Sequence, residues 1–194
     1  MKRLILLVPM LMFMLIFSGC STADNQGNIN TAQKNISTSS SSNEKDTIKI
    51  EDEDLSEILK KKKLTMVNVW ATFCSPCIKE MPHLAEISSE YADKDFQIVG
   101  IVIDALDEKD KVSDEQIALA KEIIEETGAN YKHILPNSDL PKDFLSDVSV
   151  VPTTFFFDSE GNQVGDAVLG SKSKTEWIKE IDDRLETLDK EKTV

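Results

Sequence analysis

The chain has 194 residues, a formal net charge of -13 at neutral pH and 40% apolar residues. This length suits one domain once the chain ends are discounted, and the apolar fraction is enough for one core of ordinary size. The only dense basic run is at residues 60–63, and no Arg-rich arm is present. Because nucleic-acid binding needs cations that neutralise phosphates, we expect no nucleic-acid partner.

Residues 1–19 have the composition of a secretory signal peptide: two cationic residues, an apolar run over residues 4–17, and small residues before a cysteine. As a helix this run would be about 21 Å long, short of the roughly 30 Å hydrocarbon core of a membrane. The ending Ile-Phe-Ser-Gly-Cys resembles a bacterial lipobox, although Phe17 stands where leucine is usual. We therefore predict that Cys20 carries lipid and anchors the protein to the bacterial cell membrane, with an uncleaved anchor as the alternative.

Residues 20–45 are the predicted lipidated N-terminus and tether, and residues 46–194 the folded domain. The tether is rich in Ser, Asn and Thr and cannot bury enough surface to offset the entropy of ordering. If Cys20 is lipidated, only Cys74 and Cys77 remain as thiols. Outside the cytosol, thiols this close together oxidise unless something reduces them.

Hydrophobic patterning predicts a β-α-β unit, an extra helix, a strand and a final β-β-α unit, which together favour an α/β fold. A central mixed β-sheet with helices on both faces is the expected architecture. The predicted strands are residues 47–52, 64–72, 96–104, 131–135, 153–157 and 163–169, and the predicted helices are residues 54–62, 75–94, 113–127 and 172–188, with a helical turn at residues 141–147.

Local signals define several ends of these elements. Asp54 is the expected N-cap of the first helix. Ser113 is the expected N-cap of the inserted helix, where Gln116 would complete a capping box and Gly128 would stop the helix. Gly161 supplies the permissive backbone for the last turn between strands.

Cys74 and Cys77 lie where a buried strand gives way to a helix, separated by Ser75 and Pro76. The first-turn N–H groups and the helix dipole would stabilise a thiolate at Cys74. Cys77, one helical turn further on, lies within disulfide reach and should be the more buried cysteine. We predict that Cys74 attacks a substrate disulfide and that Cys77 then attacks Cys74 to release the reduced substrate.

Two other interpretations of the cysteine pair stay open at this point. A zinc site would need two further ligands, and the only histidines are His83 and His133, which we expect at the surface. We therefore expect no metal. A purely structural disulfide is disfavoured because so small a loop constrains the unfolded chain little.

The segment Trp-Ala-Thr-Phe-Cys-Ser-Pro-Cys at residues 70–77 resembles the active site of the thioredoxin superfamily. It is most similar to the membrane-anchored TlpA/ResA-like thiol-disulfide oxidoreductases, whose pattern is Trp-Ala/Gly-Thr-Trp-Cys-x-Pro-Cys. Phe73 replaces the second tryptophan and keeps an aromatic ring beside the nucleophile. The resemblance covers residues 46–190 and implies a thioredoxin-like fold with a helix inserted after the βαβ unit.

A second segment, Val-Val-Pro-Thr-Thr-Phe-Phe-Phe-Asp at residues 150–158, resembles the family strand that begins at a cis-proline opposite the redox pair. Pro152 matches that proline, and the Val151 backbone would pair with an extended substrate like an added strand. Pro82 also matches the kinked helix of the family. The resemblance thus implies these substrate-binding residues: Trp70, Phe73, Ser75, Pro76, Val151 and Pro152.

Glu80 is the predicted proton carrier for the cysteines. Thioredoxin has a buried aspartate six residues before its first cysteine, but Asn68 stands there and cannot act as a base. In the ResA-like branch a glutamate three residues after the second cysteine lies near the active site, and Glu80 matches it. A solvated glutamate on the helix surface is the alternative.

The resemblance implies a lipid-anchored extracytoplasmic oxidoreductase, expected to act as a reductase on secreted or membrane-associated proteins. It implies a redox-active disulfide in place of a cofactor, and a membrane electron-relay protein as the donor. A peroxiredoxin-like peroxidase is one alternative, although it needs an arginine near its cysteine and the domain contains only Arg184. A binding module without catalytic turnover is the other alternative.

Overall fold

A computed structural model describes residues 48–136, 144–145 and 148–191. The predicted signal peptide, the lipidated Cys20 and the tether at residues 20–45 lie outside the described residues, and so does most of the predicted turn at residues 141–147. These assignments therefore remain predictions.

The six described strands form one mixed sheet in the order β1-β4-β3-β2-β5-β6. The pairs β1–β4, β4–β3 and β3–β2 are parallel, whereas β2–β5 and β5–β6 are antiparallel. The strands are β1 Ile50–Glu51, β2 Leu64–Trp70, β3 Phe96–Val102, β4 Lys132–Ile134, β5 Thr153–Asp158 and β6 Val168–Leu169. The predicted α/β class with a central mixed sheet is confirmed.

In the described part of the chain, four helices accompany the sheet: α1 Leu55–Leu59, α2 Ser75–Glu90, α3 Asp114–Thr127 and α4 Lys174–Glu191. Asp54 caps α1 by accepting the Ser56 N–H at 2.8 Å. Gly128 ends α3 in the left-handed conformation, with φ of 68°. The predicted helix inserted after the βαβ unit is therefore α3.

The predicted capping box of α3 is only half formed. Ser113 Oγ accepts the Gln116 N–H at 3.4 Å, as expected. The Gln116 side chain, however, lies 2.8 Å from the Thr72 hydroxyl, and the Ser113 N–H donates to the Ala105 carbonyl at 2.9 Å. The amide group of Gln116 is thus used to hold the loop before the cysteines.

The core divides at the sheet because successive side chains of β2 point to opposite faces. Val67 and Val69 pack with α1 residues on one face, whereas Leu64 and Met66 pack with residues of α2 and α4 on the other. All seven residues of β2 are buried. The central strand is therefore rigidly held on both faces and presents its carboxyl end, where the cysteines follow, at a fixed place.

The predicted strand at residues 163–169 is wrong for most of its length. Gln163 makes only an isolated bridge to Phe157, and pairing resumes at β6. Between them Gly165 has φ of 74°, and Arg184 donates to the carbonyls of Val164 and Asp166 at 3.0 and 3.2 Å. These carbonyls are bound by the Arg184 side chain, so the sheet ladder is interrupted there.

No helix in the described part of the chain is long and apolar enough to cross a membrane.

Candidate active site

The two cysteines lie at the junction of β2 and α2 and form a disulfide, with their Cα atoms 5.3 Å apart. Cys74 is the N-cap of α2, and its sulfur accepts the Cys77 N–H at 3.3 Å. The sulfur therefore faces the helix end at which unpaired N–H groups and the helix dipole favour negative charge. This position stabilises a thiolate at Cys74 when the disulfide is reduced.

The two cysteines differ in access to solvent. Cys74 exposes 5% of its surface and Cys77 exposes none, while the intervening Ser75 and Pro76 are exposed. An incoming sulfur can therefore reach the pair only at Cys74, and Cys77 can act only on Cys74. The prediction that Cys77 is the more buried cysteine is confirmed.

Phe73 projects into solvent directly before the disulfide, with 76% of its surface exposed. The backbone beneath it is tightly turned, since the Cys74 N–H donates to the Ala71 carbonyl at 3.0 Å. The exposed ring therefore offers an apolar surface directly beside the reactive sulfur. Its predicted part in substrate binding remains a prediction.

Val151 and Pro152 form the facing wall of the site. Their peptide bond is cis, as the resemblance implied. Val69 pairs with Thr153, so one step further along this antiparallel pair Pro152 lies opposite Trp70, just before the cysteines. Val151 packs against the apolar cluster that contains both cysteines. Sequence segments that are distant along the chain thus meet at the disulfide.

Glu80 is buried, with 2% of its surface exposed, and is not the solvated residue of the alternative interpretation. Its Oε1 accepts from Asn68 Nδ2 at 3.2 Å, and its Oε2 accepts from the Lys172 N–H and Trp177 Nε1, both at 3.1 Å. Burial raises the pKa of Glu80 above its ordinary value, and the three N–H donors partly oppose that rise. A buried carboxyl that titrates closer to neutral pH can exchange a proton with a thiol.

Glu80 lies three residues after Cys77 in α2, so the two side chains project from neighbouring positions on one side of the helix. Asn68 orients the carboxyl from β2, and its Nδ2 also donates to Thr154 Oγ1 at 3.0 Å. The Asn68 Oδ1 atom is buried and has no hydrogen-bond partner among the described residues. Rotation of the amide would turn this acceptor toward a protonated Glu80, so Asn68 can serve either protonation state.

Trp70 does not lie on the surface of the site, which differs from its expected place among the substrate-binding residues. Its side chain is fully buried, and its Nε1 donates to His133 Nδ1 at 3.2 Å. Its large apolar ring packs in the same cluster as Cys74 and Cys77. Trp70 therefore supports the disulfide from beneath.

The expectation that both histidines lie at the surface is right for His83 and wrong for His133, which exposes 2% of its surface. Its Nε2 lies 3.0 Å from the Ala129 carbonyl and carries the proton, since Nδ1 accepts from Trp70. Burial lowers the pKa of His133 to about 4. Gly100 makes room for the ring, because a Cβ there would lie 2.3 Å from His133 Nδ1.

Sequence reasoning missed the groups that hold the site from a distance. Trp177 lies in the predicted helix at residues 172–188, and nothing local indicates that its indole reaches Glu80. Thr72 and Asp104 were placed at the ends of strands, but β2 and β3 each end two residues earlier. The signal was available in principle, because the carboxyl ends of neighbouring parallel strands meet at one edge.

The described residues contain no group of three or more His, Cys, Asp or Glu side chains placed to bind a metal ion. Arg184, the arginine that a peroxidase would need at its cysteine, is instead engaged at the β5–β6 connection. It bonds the Val164 carbonyl at 3.0 Å and lies over the Phe156 ring at 4.1 Å from the centroid.

A family model described as Redoxin matches residues 43–176. Thiol-disulfide oxidoreductase ResA of Bacillus thuringiensis (strain Al Hakam) is 30% identical over 138 residues, which cover 69% of each chain. Thioredoxin-like protein YneN of Bacillus subtilis (strain 168) is 27% identical over 122 residues. The match covers 63% of this chain and 65% of YneN.

Among solved structures, a thiol:disulfide interchange protein of the thioredoxin family from Chlorobium tepidum TLS is similar, with 26% identity and a TM-score of 0.54. The match covers 67% of this chain and 84% of that chain. These similarities confirm the predicted thioredoxin-like fold and the predicted resemblance to ResA-like proteins. The chain therefore belongs to the Redoxin family, with the fold and the paired cysteines of its thiol-disulfide oxidoreductases.

Proposed function

We propose that this protein is an extracytoplasmic, lipid-anchored thiol-disulfide oxidoreductase that reduces disulfides in secreted or membrane-associated proteins. The observation that carries the proposal is the disulfide at the N-terminus of α2, of which only Cys74 is accessible. Membership of the Redoxin family and similarity to proteins named thiol-disulfide oxidoreductase support this reaction class.

In the reduced enzyme the Cys74 thiolate attacks one sulfur of a substrate disulfide. The substrate S–S bond breaks, a mixed disulfide with Cys74 forms, and the other substrate sulfur leaves as a thiolate that takes up a proton. Cys77 then loses its proton and attacks the Cys74 sulfur, so the second substrate sulfur leaves and is protonated in turn. Two electrons pass to the substrate, and the enzyme is left with the Cys74–Cys77 disulfide. No cofactor is required.

Glu80 is the group that receives the Cys77 proton. Its carboxyl is buried on the same helix as Cys77, and no hydrogen bond to it comes from the cysteines; its partners are Asn68, Lys172 and Trp177. These donors fix the carboxyl in place. Because burial raises its pKa, the proton is held and then returned at a pH nearer neutrality than an exposed glutamate allows.

The substrate surface is formed by the exposed residues around Cys74 and by the facing wall. Phe73, Ser75 and Pro76 are exposed on one side, while Val151 is partly exposed on the other beside Pro152. An extended polypeptide that lies between these walls would bring its own cysteine sulfur to Cys74. The remaining predicted member, Trp70, contributes only through packing.

The direction of electron flow follows from which redox state the site stabilises. A carboxylate near the thiols disfavours a thiolate by like-charge repulsion, and a less stable reduced form means a more reducing pair. The buried Glu80 therefore favours a reductase. A reductase needs two electrons for every turnover, and outside the cytosol we propose that a membrane electron-relay protein supplies them.

The location of the enzyme is supported by sequence alone: a cationic start, an apolar run at residues 4–17, and Cys20 in a lipobox-like context. Replacement of Cys20 by Ser should abolish labelling with a radioactive fatty acid and release the protein from washed membranes. Labelling that persists in Cys20→Ser would rule out this anchor.

Insulin reduction tests the proposed reaction. With dithiothreitol as the electron donor, the wild type should precipitate insulin far faster than the Cys74→Ala variant. In equilibrium with glutathione, the enzyme should favour its disulfide form, as expected for a reductase. A wild type no faster than Cys74→Ala would make the protein a binding module. An equilibrium that strongly favours the dithiol would make it an oxidant.

A further inference from the structure

A carboxylate at the carboxyl end of β3 holds the loop that leads into Cys74. Asp104 accepts the Thr72 N–H at 3.0 Å through Oδ2 and at 3.2 Å through Oδ1. The Thr72 hydroxyl lies 2.6 Å from Asp104 Oδ2 and 2.8 Å from Gln116 Oε1. A hydroxyl has one proton, so Thr72 donates to Asp104 and accepts from Gln116 once that amide is turned by 180°.

The fold brings these three residues together from separate segments. Trp70 pairs with Val102 at the end of the parallel β2–β3 ladder, and the Ile103 N–H continues it to the Trp70 carbonyl at 2.9 Å. Thr72 and Asp104 each follow two residues later. Gln116 arrives from the first turn of α3, the helix that is inserted after the βαβ unit.

This network determines where Phe73 and Cys74 lie. Thr72 exposes only 7% of its surface, and both its backbone N–H and its hydroxyl are bound. The next residues, Phe73 and Cys74, carry the exposed aromatic ring and the accessible sulfur. A loop fixed on both its backbone and its side chain cannot shift these two groups independently of the sheet.

The same carboxylate places a negative charge close to the nucleophile. Cα atoms two residues apart are at most about 7 Å from each other. With the length of the Asp104–Thr72 bond and of the Cys74 side chain added, the charge bound to Thr72 lies within about 14 Å of the Cys74 sulfur. That upper bound is less than twice the Debye length, which is about 8 Å at physiological ionic strength, so salt screens the charge incompletely. Only 5% of the Cys74 surface is exposed, so few water molecules lie beside the residue. The charge opposes the N-terminus of α2, which favours the Cys74 thiolate.

We propose that Asp104 is a positioning residue that also tunes the redox pair: it fixes the Thr72 loop, and its charge keeps the Cys74–Cys77 disulfide reducing. The proposal rests on the proposed oxidoreductase function and deepens it. Reduction of the disulfide takes up two electrons and two protons, and loss of one proton leaves the Cys74 thiolate. A charge that disfavours this thiolate shifts the equilibrium toward the disulfide and thereby makes the pair a stronger reductant.

Other titratable groups surround the disulfide and must stay unchanged in the test. On the elements packed around it these include Lys79, Glu80 and His83 of α2, Asp114 and Lys121 of α3, Tyr131, Lys132 and His133 at β4, and Lys172 before α4. Glu108 offers a matched control, because it is exposed in the loop after Asp104 and its replacement by Gln removes the same charge from the chain.

The experiment compares Asp104→Asn, Asp104→Glu, Glu108→Gln and the wild type in two assays that need no protein substrate. The first is the dithiol–disulfide equilibrium with glutathione, and the second is the pH dependence of Cys74 alkylation. Asp104→Asn should shift the equilibrium constant about tenfold toward the dithiol. At pH values below the midpoint of the Cys74 titration, it should also raise the fraction of Cys74 present as thiolate about tenfold. Asp104→Glu keeps the charge and should stay within about threefold of the wild type, and Glu108→Gln within about twofold.

An Asp104→Asn equilibrium constant equal to that of Glu108→Gln would overturn the proposal. Should Asp104→Asn fail to fold by circular dichroism, Asp104→Ser, which keeps an acceptor oxygen, gives the same test with the same expected shift. Thr72→Val separates the two roles: it keeps the charge and loses the hydroxyl bonds, so it should raise KM for insulin several-fold and leave the equilibrium constant within about threefold. A wild type inactive on insulin would refute the proposed function without touching these equilibria.

Discussion

Replacement of Glu80 by Gln tests the proton-transfer role directly, because the structure can accept the change. The Gln oxygen can take the place of Oε2 and keep the bonds from the Lys172 N–H and Trp177 Nε1. Its NH₂ group would then face Asn68, which can rotate and offer its unpartnered Oδ1. We therefore expect the free energy of unfolding at neutral pH to change by no more than about 1 kcal/mol.

The electrostatic effect on Cys77 can be worked out from the helix geometry. Side chains three residues apart have Cβ atoms about 5–6 Å from each other, so we place the Glu80 carboxylate about 6 Å from the Cys77 sulfur. At an effective dielectric constant of about 20, two unit charges at this distance interact by about 3 kcal/mol, a factor of about 100 in the acid dissociation of the thiol. Glu80→Gln should therefore let Cys77 ionise at lower pH.

The same substitution should slow the second step of the reaction. A lower thiol pKa alone would speed the attack of Cys77 on the mixed disulfide, but the loss of the proton acceptor should slow it about 100-fold at neutral pH. Stopped-flow decay of a preformed mixed disulfide measures this step, and alkylation across pH values of about 4 to 10 measures the thiols. Glu90→Gln, on the exposed last turn of α2, is the control and should change neither. Unchanged pH profiles of both alkylation and disulfide reduction in Glu80→Gln would refute the reasoning.

Three further predictions concern stability and substrate binding. Because the Glu80 pKa is raised in the folded state, the folded protein binds more protons, and the wild type should lose stability relative to Glu80→Gln as the pH rises above 4.5 in urea titrations; a constant difference would contradict this. His133 has its pKa lowered from 6.5 to about 4, so stability should fall by up to about 3 kcal/mol as the pH drops through that window, in the wild type and in His83→Gln but not in His133→Gln. If the free energy of unfolding fell equally with decreasing pH in the two histidine variants, that result would count against a buried neutral His133. Phe73→Ser should change the free energy of unfolding by less than about 0.5 kcal/mol, since the ring is exposed. It should nevertheless raise KM for insulin several-fold and leave the rate of reduction of a small aromatic disulfide unchanged. Equal effects on both substrates would argue against a binding role.

The sheet and the helices could be predicted largely from local patterns. The continuous apolar run of β2 and the cap signals of Asp54 and Gly128 depend on neighbouring residues only, and each is found where the pattern places it. The prediction of a strand over residues 163–169 failed because of a residue outside that segment. Arg184, some twenty residues later in the chain, takes the carbonyl groups that a regular strand would pair.

The site was predictable where a short motif carries the chemistry. Cys74, Cys77 and Pro152 could be recognised from two segments, and the structure places both at one end of the sheet. The supporting contacts could not be read in this way. Trp70 lies in the apolar run that predicts a buried strand, but nothing local indicates that its indole donates to His133. His133 is accepted in the core only because Gly100 leaves space beside it.

The polar network around Glu80 shows the same limit. Its donors come from Asn68 in β2, from Lys172 two residues before α4, and from Trp177 in α4. The nearest of them in sequence to Glu80 is Asn68, twelve residues away. Pairs this far apart are determined by how α2 and α4 pack on one face of the sheet. Sequence spacing indicates that Glu80 lies near Cys77, but only the packed helices show that its carboxyl is enclosed.

The central claim is that Cys74 makes the bond to the substrate and that Cys77 breaks it. Intact-mass measurement of Cys77→Ala and Cys74→Ala, each reduced and then mixed with a disulfide-bonded polypeptide, tests this claim most directly. Cys77→Ala should accumulate one stable mixed disulfide through the accessible Cys74, and Cys74→Ala, left with a fully buried thiol, should accumulate almost none. Equal trapping by the two variants, or trapping by Cys74→Ala alone, would contradict the account.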